Sequence, residues 1–197
     1  MFTITILAVV LSYIWYFQPR WPPSFVAVPV ALVLVLGLWN ALITGETGVK
    51  PGALLRGLWA TAIFTAAIAA TLAVAGAVRG TLHVRPNLLT DGLALIGWGG
   101  GQQWILQTVF LRESQRAISR RAGIVVAAVL FASLHLPNLW LTAATLIGAV
   151  GWCAIYDRYP NIIPLALSHA IATLMILSAF DEATSGRLRV GVAYFAR

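Results

Sequence analysis

Long apolar runs separated by short polar gaps dominate this chain. An apolar stretch of about 20 residues crosses the roughly 30 Å hydrocarbon core of a bilayer as a helix. Seven runs stand out: residues 2–17, slightly short, then 24–45, 57–78, 88–111, 123–136, 139–156 and 162–180. The pattern predicts an all-α fold, a polytopic transmembrane helical bundle of about seven membrane segments. Residues 18–23 break the first helix, and Trp15, Tyr16 and Trp21 form an interfacial aromatic belt. Residues 1–6 carry no basic side chain, so the first helix reads as retained and not as a signal peptide. The third run is rich in Ala, which permits close helix packing. Pro137 and Asn138 stop the fifth. Residues 1–87 read as N-terminal transmembrane helices, 88–180 as a helical core carrying the polar positions, and 181–197 as an interfacial tail, all within one integral membrane domain.

Composition agrees with that pattern. The 197 residues are 60% hydrophobic and only 10% charged, against roughly 25% charged in soluble domains. The net charge of +7 changes the picture less than it first suggests. The basic residues occupy the gaps between apolar runs, where membrane proteins keep interfacial anchors and topology signals. No basic stripe is interleaved with exposed aromatics, which excludes a nucleic-acid partner. The densest cluster is Arg112, Arg116, Arg120 and Arg121, and it assigns that loop to the cytoplasmic side of a prokaryotic plasma membrane. Membrane lipid is the first partner implied. The single cysteine, Cys153, lies in an apolar run, which rules out a disulfide framework and reads as packing.

Polar side chains inside hydrocarbon cost free energy, so they face a bundle interior or a watery cavity. Four places qualify. Gln102, Gln103 and Gln107 follow the run Gly99-Gly100-Gly101, whose missing side chains let a neighbouring backbone come close. Gln103 and Gln107 are four apart and share a helix face. Phe131 and His135 share another, just before Pro137 and Asn138. His169 shares a third with Thr173, and Ser168 beside it is placed to cap locally. Asp91 sits near a helix start, where a carboxylate suits the macrodipole. Each place alone has a bland reading: interhelical glue for the glutamines, packing for each histidine. Together, on consecutive helices, they point to one intramembrane cavity shared by Gln102, His135 and His169.

At these residues the chain resembles the CPBP family of intramembrane proteases, which includes the CAAX prenyl endopeptidases and bacterial Abi proteins. That family carries Glu-Glu-x-x-x-Arg, Phe-x-x-x-His, and His-x-x-x-Asn or a similar small polar residue on successive helices. Here the second motif reads Phe131-Ala-Ser-Leu-His135, continued by Leu-Pro-Asn138, and the third reads His169-Ala-Ile-Ala-Thr173. The resemblance covers roughly 88–176. The first motif departs from the pattern and reads Gln102-Gln103-Trp-Ile-Leu-Gln107. The resemblance implies an intramembrane endopeptidase whose water is activated by His135 and His169 with Gln102 and Gln103, Thr173 or Asn138 helping to hold the oxyanion. Its substrate would be a membrane-bound or lipidated peptide.

Glutamine changes the chemistry of that site. A carboxylate accepts the proton of an attacking water, whereas an amide can only orient it. A neutral imidazole at His135 can serve as the base instead. With no carboxylate to pair, an arginine at position 107 would be an uncompensated buried charge, so the three substitutions read as one remodelling. The alternative is a catalytically silent relative that binds a peptide, a lipidated chain end or a partner helix in the same cavity. A small-molecule carrier lacks support, for there is no internal repeat and no pair of broken helices. Two histidines without a carboxylate or thiolate partner make a poor zinc set. Neither a metal nor any other cofactor is expected.

Overall fold

The computed structural model describes residues 1–196, and all seven apolar runs are helical. Helices α1 (Phe2–Ser12), α2 (Ala27–Thr44) and α3 (Leu54–Val78) come first. Then follow α4 (Leu88–Ile105), α5 (Arg112–Ala117), α6 (Arg120–Ser133), α7 (Leu139–Arg158), α8 (Ile162–Ala179) and the short α9 (Glu182–Ser185). Among the described residues, four helical segments are long and apolar enough to cross a membrane: Pro23–Thr44, Pro51–Val78, Leu139–Arg158 and Ile162–Ala179. Phe2–Phe17 is a shorter apolar helix. The run 88–111 is not one regular helix: after α4 the backbone widens into a π turn over Leu106–Leu111, whose six residues are all buried. The fifth run also differs from its expected bounds. Helix α6 starts at Arg120, where the Ser119 hydroxyl accepts the Ala122 N–H at 3.2 Å, and it ends at Ser133.

The chain forms two compact units: Met1–Thr47 with Ile105–Cys153 and Leu188–Arg197, and Gly48–Trp104 with Ala154–Arg187. The stretch 88–180 contributes to both.

In the first unit, α1 lies against α2, with Phe2 and Trp39 in edge-to-face contact at 5.8 Å. The start of α1 would leave backbone N–H groups without partners. Glu113, on α5, meets them: its carboxylate accepts the N–H of Phe2 at 3.0 Å and of Thr3 at 2.9 Å, and pairs with the Met1 ammonium at 3.0 Å. Partial burial opposes ionisation of Glu113, but these donors outweigh it and hold its carboxyl below the ordinary carboxylate range. Nearby, Arg112 pairs with Glu46 just beyond α2 at 3.6 Å. Deeper in the unit, Asn40 donates its amide to the Thr108 carbonyl at 3.2 Å. A π turn shifts the i→i−4 ladder by one residue, and here one of its carbonyls meets a buried side-chain donor. After α1 the aromatic belt is exposed as expected, Trp15, Tyr16 and Trp21 being 41%, 55% and 48% accessible.

The second unit is built on α3 and α8. The backbone of Lys50 donates to Pro160 at 3.0 Å just before both helices, and Thr81 donates to the Ala179 carbonyl at 2.6 Å just after both. The two helices therefore run parallel. Small residues set their separation. A Cβ built on Gly76 would lie 2.6 Å from the Ala179 carbonyl oxygen. Between these ends Thr65 Oγ1 lies 2.7 Å from both the Thr61 carbonyl oxygen and the Ser168 hydroxyl, giving its one hydrogen to one of them and keeping lone pairs for the other contact. Ser168 thus serves as an interhelical partner, where the sequence suggested a local cap. Asp91 opens α4 as expected and also takes an ion pair from Arg85 at 2.8 Å.

Two outcomes follow. Gly76→Ala is expected to destabilise the protein by about 1–3 kcal/mol, the usual cost of overpacking a tight contact, read as a lower midpoint in detergent unfolding. Glu113 has its proton affinity lowered on folding, so its contribution is complete above the ordinary carboxylate value near 4.5 and fades as pH falls through the depressed folded value. Hydrogen exchange should show the Phe2 and Thr3 amides losing protection on acidification, and Glu113→Gln should weaken that dependence.

Candidate functional site

The candidate residues divide between the units. Gln102 and Gln103 on α4 join His169 and Thr173 on α8 in the second, while Gln107, His135 and Asn138 belong to the first.

In the second unit the glycine run admits the histidine. A Cβ on Gly99 would lie 3.2 Å from His169 Cβ, and one on Gly100 would lie 3.6 Å from Ala166 Cβ. A side chain at Gly99 would crowd His169, whereas one at Gly100 would make only ordinary contact with α8. With α4 and α8 this close, the fully buried Gln103 reaches the imidazole, its Nε2 lying 3.2 Å from His169 Nδ1. An amide nitrogen has hydrogens to give and no lone pair to accept with. In this arrangement Gln103 donates, His169 Nδ1 accepts, and the ring hydrogen of the neutral imidazole sits on Nε2. Thr173 does something else: its hydroxyl donates to the His169 carbonyl one turn back at 2.9 Å, a backbone bond common for helical threonine. Gln102 is half-buried, and its Oε1 is enclosed without a hydrogen-bond donor among the described residues.

In the first unit His135 lies beyond the end of α6, in the turn leading to α7. The sequence carried that helix through Leu136. The backbone instead turns after Ser133, and Asn138 stabilises the exit by capping α7. Its Oδ1 accepts the Leu141 N–H at 3.0 Å, and its Nδ2 donates to the Arg189 carbonyl at 3.4 Å. The His135 ring stands edge-on to Phe131 at 5.4 Å, and Nδ1 lies 3.1 Å from the Phe131 carbonyl oxygen. A carbonyl only accepts, so Nδ1 carries the hydrogen and the neutral ring keeps its lone pair on Nε2. Gln107 is wholly buried within the π turn. That turn interrupts the 3.6-residue repeat, so the shared face expected for Gln103 and Gln107 does not follow from their spacing.

The two histidines are therefore held in opposite tautomers. The Phe-x-x-x-His spacing signals the bond at His135, because a residue four positions back offers its carbonyl. The bond at His169 comes from a side chain 66 positions away, and no local spacing marks it. Among the described residues, no group of three or more His, Cys, Asp or Glu is gathered that could hold a metal ion. Cys153 is fully buried, as packing requires.

Residues 87–175 match the family model of the type II CAAX prenyl endopeptidases, Rce1-like. The matched stretch contains every candidate residue above. No curated protein and no solved structure matches the chain. Over these residues, somewhat under half of the chain, the protein is similar to that family, and with the four long apolar helices among the described residues the match points to an integral membrane protein.

The opposite tautomers are open to measurement. Nitrogen-15 spectra of histidine-labelled protein should show the Nε2–H form for His169 and the Nδ1–H form for His135, each assigned by loss of its signals in a His→Gln variant. In Gln103→Glu the carboxylate has no hydrogen to give, so His169 should move its hydrogen to Nδ1. An unchanged His169 pattern in that variant would contradict donation by Gln103.

Proposed function

We propose, on the premise that residues 87–175 form a type II CAAX prenyl endopeptidase-like core, that the chain is an intramembrane endopeptidase acting on a membrane-bound or lipidated peptide. His135 is its base. A peptide bond is broken when water adds to the carbonyl carbon, and that water must lose a proton as it attacks. The lone pair on His135 Nε2 takes it and returns it to the leaving amine as the C–N bond breaks, while the Nδ1–H bond to Phe131 holds the ring's orientation. His169 presents a hydrogen on Nε2 and so serves the opposite need, donating to the oxygen on which negative charge develops. The single observation that carries this reading is the hydrogen bond at His135, whose Nδ1 faces the Phe131 carbonyl and so leaves the Nε2 lone pair to accept a proton. Gln102 and Gln103 take positioning parts, since an amide orients water but cannot deprotonate it. Thr173 and Asn138 remain proposed supports of the oxyanion, acting beside their backbone bonds. The arginine-rich α5–α6 turn faces the cytoplasm of a prokaryotic plasma membrane.

A second reading rests on the same amides. Gln102 offers an enclosed oxygen where the family carries a carboxylate, which favours a silent relative that binds a peptide, lipidated chain end or partner helix without cleaving it.

The deciding assay measures cleavage of a prenylated peptide by the purified full chain. His135→Ala is expected to abolish turnover, while Thr173→Ala, already committed to its backbone, should cost less. Restoring the acids and the arginine together, as Gln102→Glu, Gln103→Glu and Gln107→Arg, should raise the rate by about 10²–10⁴-fold, the usual worth of a general base. Cleavage seen only in that triple variant, with peptide binding already present in the native chain, would decide for the silent relative.

A further inference from the structure

In the first unit the segment that follows α9 crosses the turn in which His135 lies. The Gly191 N–H donates to the Leu136 carbonyl at 2.8 Å, and Asn138 Nδ2 donates to the Arg189 carbonyl at 3.4 Å. The two stretches run in opposite directions, with 189 against 138 and 191 against 136. Val190 between the bonds is extended, at φ −132° and ψ 166°. Antiparallel strands exchange bonds of this kind on either side of two facing residues. Here Pro137 faces Val190, and the Asn138 side chain stands in for its backbone N–H, which bonds the His135 carbonyl instead. On its own side the segment contributes only main-chain groups, as a peptide does when it is recognised by strand addition.

The segment reaches this place under strain and stays by virtue of one glycine. Arg187 and Leu188 are left-handed, at φ 55° and 56°, a conformation costly to residues that carry a Cβ. Gly191 is left-handed too, at φ 56°, and a Cβ there would collide with the Ile14 carbonyl. A strained approach, a long bond at Asn138 and an anchor that depends on a missing side chain describe a segment able to leave as well as to bind.

We infer that the edge from Leu136 to Asn138 is the main-chain binding site for an extended peptide, and that residues 189–191 occupy it as a pseudosubstrate strap. This rests on the reading that the chain takes up a membrane-bound or lipidated peptide, and it deepens that reading by naming how the peptide is gripped and what holds it off. Leu136 directly follows His135, so a peptide paired there is brought to the proposed base. With the strap in place, an Asn138 hydrogen goes to Arg189 and not to an oxyanion.

The test uses the detergent-solubilised full chain and a fluorescent peptide copying residues 189–196. Gly191→Val, incompatible with the left-handed backbone and with the Ile14 contact, should free the edge. The labelled peptide should then bind at about millimolar concentration, the effective concentration that a short tether gives the strap itself. Native chain should bind it about tenfold more weakly, the factor set by a strap that holds the edge about nine-tenths of the time. Asn138→Asp keeps the oxygen that caps α7 but has no hydrogen for a peptide carbonyl. Added to Gly191→Val, it should weaken the labelled peptide about fivefold, the worth of one hydrogen bond. A prenylated peptide should displace the label. In the native chain, where no substitution intervenes, the same prenylated peptide should strip hydrogen-exchange protection from the Gly191 amide and leave that of Leu141. Equal binding of the label to native and Gly191→Val chains, a label that prenylated peptide leaves in place, or an undisturbed Gly191 amide would each overturn the inference. Cleavage is scored separately: turnover absent from every variant counts against the endopeptidase and leaves the binding results to decide the strap.

Discussion

A polar group carried into hydrocarbon must find its partner inside the protein, because no water is there to supply one. That constraint orders the interior of both units. Asn40 is answered by a π-turn carbonyl, Thr65 by Ser168 and its own helix, and Gln103 by an imidazole. None of these bonds contributes much net energy when compared with the same groups in water. Their weight lies in the alternative: an unsatisfied amide or hydroxyl at depth costs more than the bond gains. Polar positions therefore select one helix arrangement from the many that greasy surfaces alone would tolerate.

The same rule turns a structural bond into a chemical one. A hydrogen bond to one nitrogen of a neutral imidazole decides which nitrogen carries the hydrogen, and hence what the other can do. Phe131 and Gln103 make that decision in opposite senses for His135 and His169. The first is a backbone carbonyl that substitution cannot remove. The second is a side chain, and its identity is adjustable by a single change. Replacing glutamate by glutamine near such a ring removes one base and also reverses the polarity of the neighbouring histidine.

Much of this was legible in the chain. The seven apolar runs gave the helices, and the Gly99-Gly100-Gly101 run marked the close approach that seats His169. Periodicity failed where the backbone left the α ladder. It could not show that Leu106–Leu111 widens, nor that α6 stops short of His135, since apolar residues continue through both places. Pairings such as Gln103 with His169, Thr65 with Ser168 or Glu113 with the start of α1 join residues 66 to 111 positions apart. They depend on which helices become neighbours, and helix hydrophobicity is nearly blind to that choice.

The parallel pairing of α3 with α8 has a consequence for biogenesis. Ribosomes add about 5–20 residues per second, so α3 waits roughly 5–20 s in or beside the insertion machinery before its mate is made. During that interval the hydroxyl of Thr65 has the Thr61 carbonyl of its own helix to hold, which makes solitary residence among lipids tolerable. Gly76 meanwhile presents a bare notch that any passing helix could occupy. That notch has to stay empty until Ala179 arrives.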